Sequence, residues 1–503
     1  MTTGSSRSPS DDNPDESSNL AVAKQATKAP PELSRADAVY LKVCLLFFCL
    51  LGVNLIIAWI FEFYLNRSVN IDISFVGNDP SWIPKGTTFP PALGVHYFGD
   101  FEQYAGYVKS PIPPYDPSIV YPAAYGPAAI VIVKILLAIA GWPASVFIFL
   151  AGSVALFLLG IWRLMGRYLT GKLLGLLLLF SGGIVIALDR GNVQILVAAL
   201  FVWFCIGVLE DRPIVTVASL ALAIGIKIYV GVLILALVKE RRWRELGSVV
   251  LVSLAVYLIC FALLGGGYFS DINSFLHTNL LFASSPSKGF VLGTVSAAAV
   301  VYKILWLAMG PHQWFHFLAT SPTWYLQVPG LVVGLACIAI VWFTRYPREL
   351  ILVALLALIQ LGPAAAYPYL SINMVIELVL LVRVLSVESP TRSASVLEDS
   401  PRSSVSRPFL IACVVLLTIG AAPWLGMIYG ANGAGTPLQE FIAPVTATAV
   451  VFTLLVGLLM GRRNRPQHSH ALRSPGRIYH STASFNPATA LSSDSTASSS
   501  RVD

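Results

Sequence analysis

The stretch Val249–Leu264 reads Val-Val-Leu-Val-Ser-Leu-Ala-Val-Tyr-Leu-Ile-Cys-Phe-Ala-Leu-Leu and is apolar apart from Ser253. Comparable runs recur along the chain of 503 residues, of which 56% are hydrophobic and only 12% charged. Soluble domains carry roughly 25% charged residues. The run also lacks the alternation of apolar and polar residues that marks a membrane β-strand. The sequence therefore predicts an all-α, polytopic bundle of transmembrane helices.

Apolar segments long enough for a full crossing number ten. They cover residues 39–62, 143–163, 172–188, 191–209, 246–266, 326–344, 350–366, 368–384, 408–428 and 440–460. The apolar residues 213–238 lie between Arg212 and a basic cluster at 239–244. Two short helices that break near Lys227 would keep both basic ends on one side, whereas a single span would not. We therefore expect a hairpin here, about 12 membrane helices in all, and partial helices at 126–141 and 290–309.

The basic residues predict the topology. The net charge of +7 is concentrated in short segments between apolar runs, which favours cytoplasmic flanks over a nucleic-acid surface. Both termini are then cytoplasmic, as expected for a multi-pass protein of the plasma (inner) membrane. The predicted organisation is a disordered cytoplasmic N-terminus (1–38), a membrane core (39–385) with a long extracytoplasmic loop (63–125), a polar cytoplasmic linker (386–407), two C-terminal membrane helices (408–460) and a disordered cytoplasmic tail (461–503).

No cofactor or metal is expected. The six cysteines all lie inside apolar runs, without a CxxC pair or a nearby His cluster, and predict neither a disulfide nor zinc. The chain also lacks a nucleotide-binding glycine motif and an acidic metal-binding pair in its outer loops.

The first candidate site is the segment 99–104, which reads Gly-Asp-Phe-Glu-Gln-Tyr within the long outer loop. The chain returns to the bilayer shortly afterwards, at a segment that includes Tyr121 and Tyr125. A carboxylate at the membrane surface, walled by aromatic residues, is placed to deprotonate a hydroxyl, and this favours Asp100 as a general base. The alternative is an ordinary solvated loop carboxylate.

The second candidate site is the segment 189–194, Asp-Arg-Gly-Asn-Val-Gln, between two apolar runs. We expect Asp189 to be the N-cap of the following helix, with Arg190 and Gln194 on one helix face. A helix N-terminus and a guanidinium together suit an anionic headgroup. The alternative is a structural cap beside an arginine that extends to the interface.

The third candidate is Lys227, in the middle of an apolar stretch, where an ammonium requires an anionic partner. Two partners remain open from the residues alone. One is Glu377, in a structural ion pair, and the other is a lipid phosphate.

The order of these motifs resembles glycosyltransferase family 87, whose members use polyprenyl-phosphate sugars and have the GT-C fold. The similarity is best over about 95–245 and extends more weakly to about 385. It rests on Gly-Asp-Phe-x-x-Tyr, a Tyr-Pro segment, Arg-Gly-Asn-x-Gln, Lys-x-Tyr and Lys-Glu-Arg-Arg-Trp-Arg, in that order. One departure is Tyr121-Pro122-Ala123, where the family often has Tyr-Pro-Pro.

The resemblance implies an inverting transfer that needs no metal. A mannosyl residue, or less often an arabinofuranosyl residue, would pass from a polyprenyl-phosphate donor to a hydroxyl of a glycolipid or glycan on the extracytoplasmic face. It implies Asp100 as the base and a donor-phosphate site of Arg190, Lys227 and His277, the last in a predicted outer loop at 267–289. The expected substrate-binding residues are Tyr104, Tyr121, Tyr125, Asn192 and Gln194.

Two other classes of protein remain open. A secondary transporter or lipid flippase would share the helices and the intramembrane charges, although such proteins usually show a repeat between their halves. A non-catalytic membrane scaffold would explain the helices but not the charged residues at positions 100, 190 and 227.

Overall fold

The apolar segments fold as α-helices, because a helix satisfies its own backbone hydrogen bonds in a hydrocarbon environment. The computed structural model describes residues 34–60, 98–110, 112, 114–116, 125–166, 168–265, 268–284, 295–320, 327–343, 346–362, 368–387, 406–424, 427–429 and 435–463.

The helices are numbered here in chain order. They are α1 Arg35–Trp59, α2 Gly99–Lys109, α3 Pro127–Ala140, α4 Ala144–Met165, α5 Leu169–Leu177, α6 Gly182–Asp189, α7 Gln194–Leu209, α8 Pro213–Ile226, α9 Ile234–Lys239, α10 Trp243–Leu264, α11 Tyr268–Ser284, α12 Ala297–Thr320, α13 Val328–Phe343, α14 Arg348–Leu361, α15 Ile372–Val387, α16 Arg407–Ala421 and α17 Leu438–Arg463. Short 3₁₀ helices cover Leu178–Phe180, Ile228–Leu233 and Pro368–Ser371.

Several helices are suited to crossing a membrane. Within the described residues, four are long and apolar enough, and a fifth span results if Leu169–Phe180 and Gly182–Asp189, bent by 55°, count as one. Further apolar helices of 10–17 residues accompany them. The chain therefore forms a membrane-embedded helical bundle, while the numbers of ten crossings and about 12 membrane helices stay predictions.

The helices differ in what surrounds them. Helix α15 is buried over most of its length by its neighbours. Helix α10 instead exposes apolar side chains such as Leu251 and Ile259, which suits a surface in contact with lipid. Helix α15 is thus an inner helix of the bundle, whereas α10 belongs to an outer layer with an apolar surface.

The predicted hairpin at 213–238 is confirmed. Helix α8 ends at Ile226, and a 3₁₀ turn and α9 bring the chain back. The two ends meet because Arg242 donates a hydrogen bond to the Val208 carbonyl and Arg348 pairs with both Asp211 and Glu240. The basic residues on either side of the hairpin therefore lie at one end of the bundle, as the charge pattern predicted.

Other predictions need correction. The fold is helical as predicted, and a short antiparallel hairpin of β1 (Met427–Tyr429) and β2 (Gly435–Pro437) accompanies the helices. The segment 267–289, expected to be a loop, is helical over Tyr268–Ser284, since its apolar residues recur at helical spacing. Helix α1 begins at Arg35, inside the segment 1–38 that was expected to be disordered. Most of the loop 63–125, the linker 386–407 and the tail 461–503 lie outside the described residues.

Candidate active site

The turn between α6 and α7 carries half of the candidate site. Gly191 has a φ of +60°, so the chain turns within three residues of the end of α6. The expected N-cap at Asp189 is wrong, because Asp189 ends α6. Instead, the Asn192 side-chain oxygen accepts a hydrogen bond of 2.7 Å from the Gln194 N–H, where α7 begins. Arg190 lies in the turn and does not share a helix face with Gln194.

The N-terminus of α2 is hydrogen-bonded to this turn. The Phe98 N–H donates to the Asp189 carbonyl at 2.8 Å, and the Asp100 N–H donates to the Arg190 carbonyl at 3.0 Å. The approach is close, since a Cβ on Gly191 would lie 3.0 Å from the Cβ of Phe101. These backbone contacts place the Asp100 side chain beside the turn.

Asp100 is bound by both polar side chains of the turn. Arg190 donates from Nη2 and Nε to the two carboxylate oxygens at 3.1 and 3.3 Å, and Asn192 Nδ2 donates at 2.5 Å. Asp100 is only 7% exposed. Burial opposes the guanidinium charge, but attraction to Asp100 outweighs it and holds the pKa of Arg190 above its usual value. The carboxylate is thus held in one orientation by two neighbours.

This pairing changes the expectation for Arg190. It was predicted as a ligand of the donor phosphate, yet two of its three guanidinium nitrogens bind Asp100. The third, Nη1, is buried and has no hydrogen-bond partner within the described part of the chain. Arg190 therefore retains one donor that an anionic ligand can use.

Glu102, the nearest alternative base, is directed elsewhere. Helix α2 includes both residues, and two positions along a helix correspond to about 200° of rotation. Burial raises the pKa of Glu102, and Lys109 partly offsets this. The hydrogen bonds to the turn involve Asp100, so it is Asp100 that belongs to the cluster.

Lys227 lies in a cage of three tyrosine rings. Its Nζ is 4.7 Å from the ring centroid of Tyr369, 5.1 Å from that of Tyr125 and 5.8 Å from that of Tyr229. Such cation–π contacts stabilise a desolvated ammonium. Lys227 is 4% exposed and lies within electrostatic range of Asp100. It forms no ion pair with Glu377 in the described structure, so the structure does not support that one of the two partners left open by the sequence.

The tyrosines connect this cage with the turn. Tyr125 accepts a hydrogen bond from Asn192 Nδ2 at 3.5 Å, and its hydroxyl is 3.5 Å from that of Tyr369. Tyr229 donates to Gln194 Oε1 at 3.4 Å. Asp100, the turn and the Lys227 cage therefore form one continuous polar cluster.

Tyr125 itself is held from two sides. Its carbonyl accepts a hydrogen bond of 2.9 Å from the Tyr115 hydroxyl, and the Tyr104 ring meets it edge-on at 4.9 Å. The next residue, Gly126, donates its N–H to the Ile226 carbonyl at 2.8 Å. A Cβ on Gly126 would lie 2.1 Å from the Gly225 carbonyl oxygen, so only glycine allows this approach.

Most of the predicted site residues lie together in the structure. It brings together Asp100, Tyr104, Tyr125, Arg190, Asn192, Gln194 and Lys227. His277 is exposed on α11, and no contact among the described residues joins it to this cluster. Tyr121 lies outside the described residues. Among the described residues, no group of three or more His, Cys, Asp or Glu side chains could hold a metal ion.

Two tyrosines of the cage were not singled out from the sequence. Tyr229 was part of the Lys-x-Tyr motif, so a signal was present. Tyr369 precedes α15, in a Pro-Tyr segment that carries no recognisable motif. It could be found only from the contact of its ring with Lys227.

One of the comparisons with known proteins gives a match. The family model for glycosyltransferase family 87 matches residues 123–363. No curated protein and no solved structure matches the chain. Tyr125, Arg190 and Lys227 lie inside the matched region, whereas Asp100 and Tyr369 lie outside it.

Proposed function

Since residues 123–363 belong to glycosyltransferase family 87, we propose that this membrane glycosyltransferase moves a mannosyl residue from a polyprenyl-phosphate sugar to an acceptor hydroxyl. The observation that carries the proposal is the buried cluster in which Asp100 lies near two cationic side chains, Arg190 and Lys227. A glycosyl transfer from a lipid phosphate needs a base that takes the proton of the acceptor hydroxyl, and a carboxylate can supply it. It also needs positive charge that stabilises the departing phosphate, and the two cationic side chains can supply that.

The proposed reaction is an inverting displacement. Asp100 accepts the proton of the acceptor hydroxyl while the hydroxyl oxygen attacks the anomeric carbon of the donor. The bond between that carbon and the phosphate oxygen breaks, and the polyprenyl phosphate leaves with the electron pair. Arg190 Nη1 and Lys227 stabilise the charge that gathers on the phosphate. The polyprenyl chain remains in the lipid.

The turn contributes positioning. Asn192 binds Asp100 and Tyr125 through the same amide nitrogen, so it links the base to the wall of the cage. Tyr104, Tyr125 and Gln194 are proposed to contact the sugars, since aromatic faces and amides are common partners of carbohydrate rings and hydroxyls. His277 is not part of this proposal.

The test is transfer of radiolabelled mannose from polyprenyl phosphate by purified Asp100→Asn, with Glu102→Gln as the matched control. Loss of a general base costs about 10²–10⁴-fold in rate. We expect that loss in the first variant and nearly parental transfer in the second. Loss only in Glu102→Gln would move the base to Glu102. Full activity in both would favour a transporter or flippase, and an arabinofuranosyl donor in parallel tests the sugar.

The proposed location is the plasma (inner) membrane, with the site outside and both termini in the cytoplasm. The basis is the set of basic residues at the end of the bundle where Arg348 pairs with Asp211 and Glu240. A cysteine introduced at Ser110 should react with an impermeant reagent in intact cells, provided that background labelling of the native cysteines is subtracted. Labelling only after permeabilisation would reverse the orientation.

A further inference from the structure

Two consecutive glycines, Gly182 and Gly183, begin helix α6, and other parts of the chain occupy the space that their side chains would fill. A Cβ on Gly183 would collide with the Ile372 backbone nitrogen and would lie 2.7 Å from the Ser371 carbonyl carbon. Carbon atoms in contact are normally about 3.5–4.0 Å apart. A side chain at position 183 would therefore push α6 and the start of α15 apart by about 1 Å.

The segment packed against Gly183 carries one wall of the tyrosine cage. Ser371 ends the 3₁₀ helix Pro368–Ser371, which also contains Tyr369. The Tyr369 ring centroid is 4.7 Å from Lys227 Nζ, the shortest of the three cation–π distances in the cage. Because Tyr369 and Ser371 belong to one short helix, the packing of that helix against α6 determines how close the ring lies to Lys227.

Helix α6 also leads directly to the other half of the site. It spans Gly182–Asp189, and the turn at its end contains Arg190 and Asn192, which bind Asp100. The eight residues of this helix extend only about 12 Å. The start of α6 therefore holds the Lys227 cage at a fixed separation from the Asp100 cluster.

Gln439 of α17 packs against the start of α6 as well. It is 5% exposed, its side-chain oxygen accepts a hydrogen bond of 2.8 Å from the Trp424 N–H, and its side-chain nitrogen donates to the Gly420 carbonyl at 3.4 Å. A Cβ on Gly182 would lie 2.6 Å from the amide carbon of Gln439. Two hydrogen bonds thus fix the amide where it packs on Gly182, so α16 and α17 support α6 through this side chain.

We propose that Gly183 and Gln439 are positioning residues, which fix the distance between Tyr369 and Lys227. Gly183 permits the close packing, and Gln439 maintains it. A cation–π contact extends to about 6 Å from the ring centroid, so a displacement of about 1 Å would bring the present 4.7 Å close to that limit. The consequence for catalysis rests on the proposed function, in which Lys227 stabilises the donor phosphate. Gln439 lies beyond residue 363, where the match to the family model ends.

The first experiment measures the surroundings of Tyr369 without the reaction. Tyr369 is replaced by 3-fluorotyrosine in the full chain, and the ¹⁹F resonance is recorded in detergent micelles. Lys227→Met should move this resonance, because the ring then no longer lies beside the lysine amino group. Gly183→Ala should move it too, whereas Gly152→Ala in α4, where an added Cβ meets no atom within 4 Å, should not. Unfolded protein would lower the intensity of the signal without moving the resonance of the folded chain.

The second experiment measures binding of ³H-labelled farnesyl phosphate, a short isoprenyl phosphate, in a scintillation proximity assay. Gly183→Ala should weaken binding about 2- to 30-fold, the range that corresponds to loss of a cation–π contact. Gly152→Ala should bind as the parental chain does. Gln439→Ala adds no atom, so it provides the same test if Gly183→Ala fails to insert. Its ¹⁹F resonance should also move, and its binding should also weaken.

The two experiments separate this inference from the proposed function. An unmoved ¹⁹F resonance in Gly183→Ala and Gln439→Ala would overturn the positioning role, and so would a resonance that Lys227→Met leaves in place. Moved resonances with parental binding of farnesyl phosphate would overturn the consequence for the donor. Failure of the parental chain to bind farnesyl phosphate would instead contradict the proposed phosphate site, and the ¹⁹F resonances alone would then decide the positioning role.

Discussion

The pairing of Asp100 with Arg190 predicts a measurable coupling between the two residues. Their side chains are 10% and 12% exposed, and two hydrogen bonds join them. Arg190→Met would leave Asp100 buried with Asn192 as its remaining side-chain partner among the described residues. Removing one partner of a buried pair costs about 3–5 kcal/mol. Because Asn192 stays in place, we expect the lower end, about 3 kcal/mol.

The double variant Arg190→Met/Asp100→Asn removes both charges and should be more stable than Arg190→Met alone. The assay is reversible unfolding in mixed detergent micelles, followed by circular dichroism, for the two single variants and the double variant. The control is Arg163→Met. Arg163 pairs with Glu210 at 2.6 Å, but the two side chains are 36% and 27% exposed, and surface pairs contribute only about 0–1 kcal/mol. An Arg190→Met variant as stable as the control, or additive single effects, would refute the reasoning.

Three further predictions concern the turn, the cage and the charged end of the bundle. Gly191→Ala should lower stability by at least about 1–2 kcal/mol, the cost of a left-handed backbone. The loss should exceed that of Gly265→Ala, whose backbone is also left-handed but whose surroundings are open. Equal losses in unfolding experiments would contradict this. Tyr125→Phe should keep most of the transfer activity, whereas Tyr125→Leu should lower the transfer rate about 2- to 30-fold, because only Phe retains the cation–π contact with Lys227. Equal transfer rates for the two variants would argue against a role for the tyrosine cage. A hydrogen bond from Arg163 holds the pKa of Glu210 below its usual 4.5, so ionised Glu210 stabilises the fold above that pH and this stabilisation is lost as acid protonates the carboxylate. Between about pH 6 and 3, the melting temperature should therefore fall more steeply for the parental chain than for Glu210→Gln. Equal slopes for the two proteins would contradict this.

The candidate site was partly predictable from residue type. Asp100, Arg190 and Lys227 stand out because charged side chains in apolar surroundings need partners or a function. Their actual partners were not predictable. Arg190 was expected to bind phosphate, yet it holds a carboxylate 90 residues away in the chain. Tyr369 carried no signal, because an isolated tyrosine before an apolar helix resembles many others.

The cap of α7 shows why a local prediction can fail. Asp189 is a favourable N-cap residue by type, and the apolar run begins just after it. The left-handed Gly191 allows a tighter turn, so α6 ends at Asp189 and Asn192 makes the side-chain bond at the start of α7. The same turn accepts backbone hydrogen bonds from Phe98 and Asp100, which a local reading of the sequence does not include.

The sequence by itself determined the membrane-embedded helical bundle and the hairpin at Lys227. Both follow from local quantities, namely the length of apolar runs and the positions of basic residues, because the bilayer penalises exposed backbone and charge wherever they occur. Only the tertiary structure decided which polar groups meet. The hydroxyls of Tyr125 and Tyr369 are 3.5 Å apart although 244 residues separate them in the chain. Such contacts depend on the packing of whole helices, which no short stretch of sequence encodes.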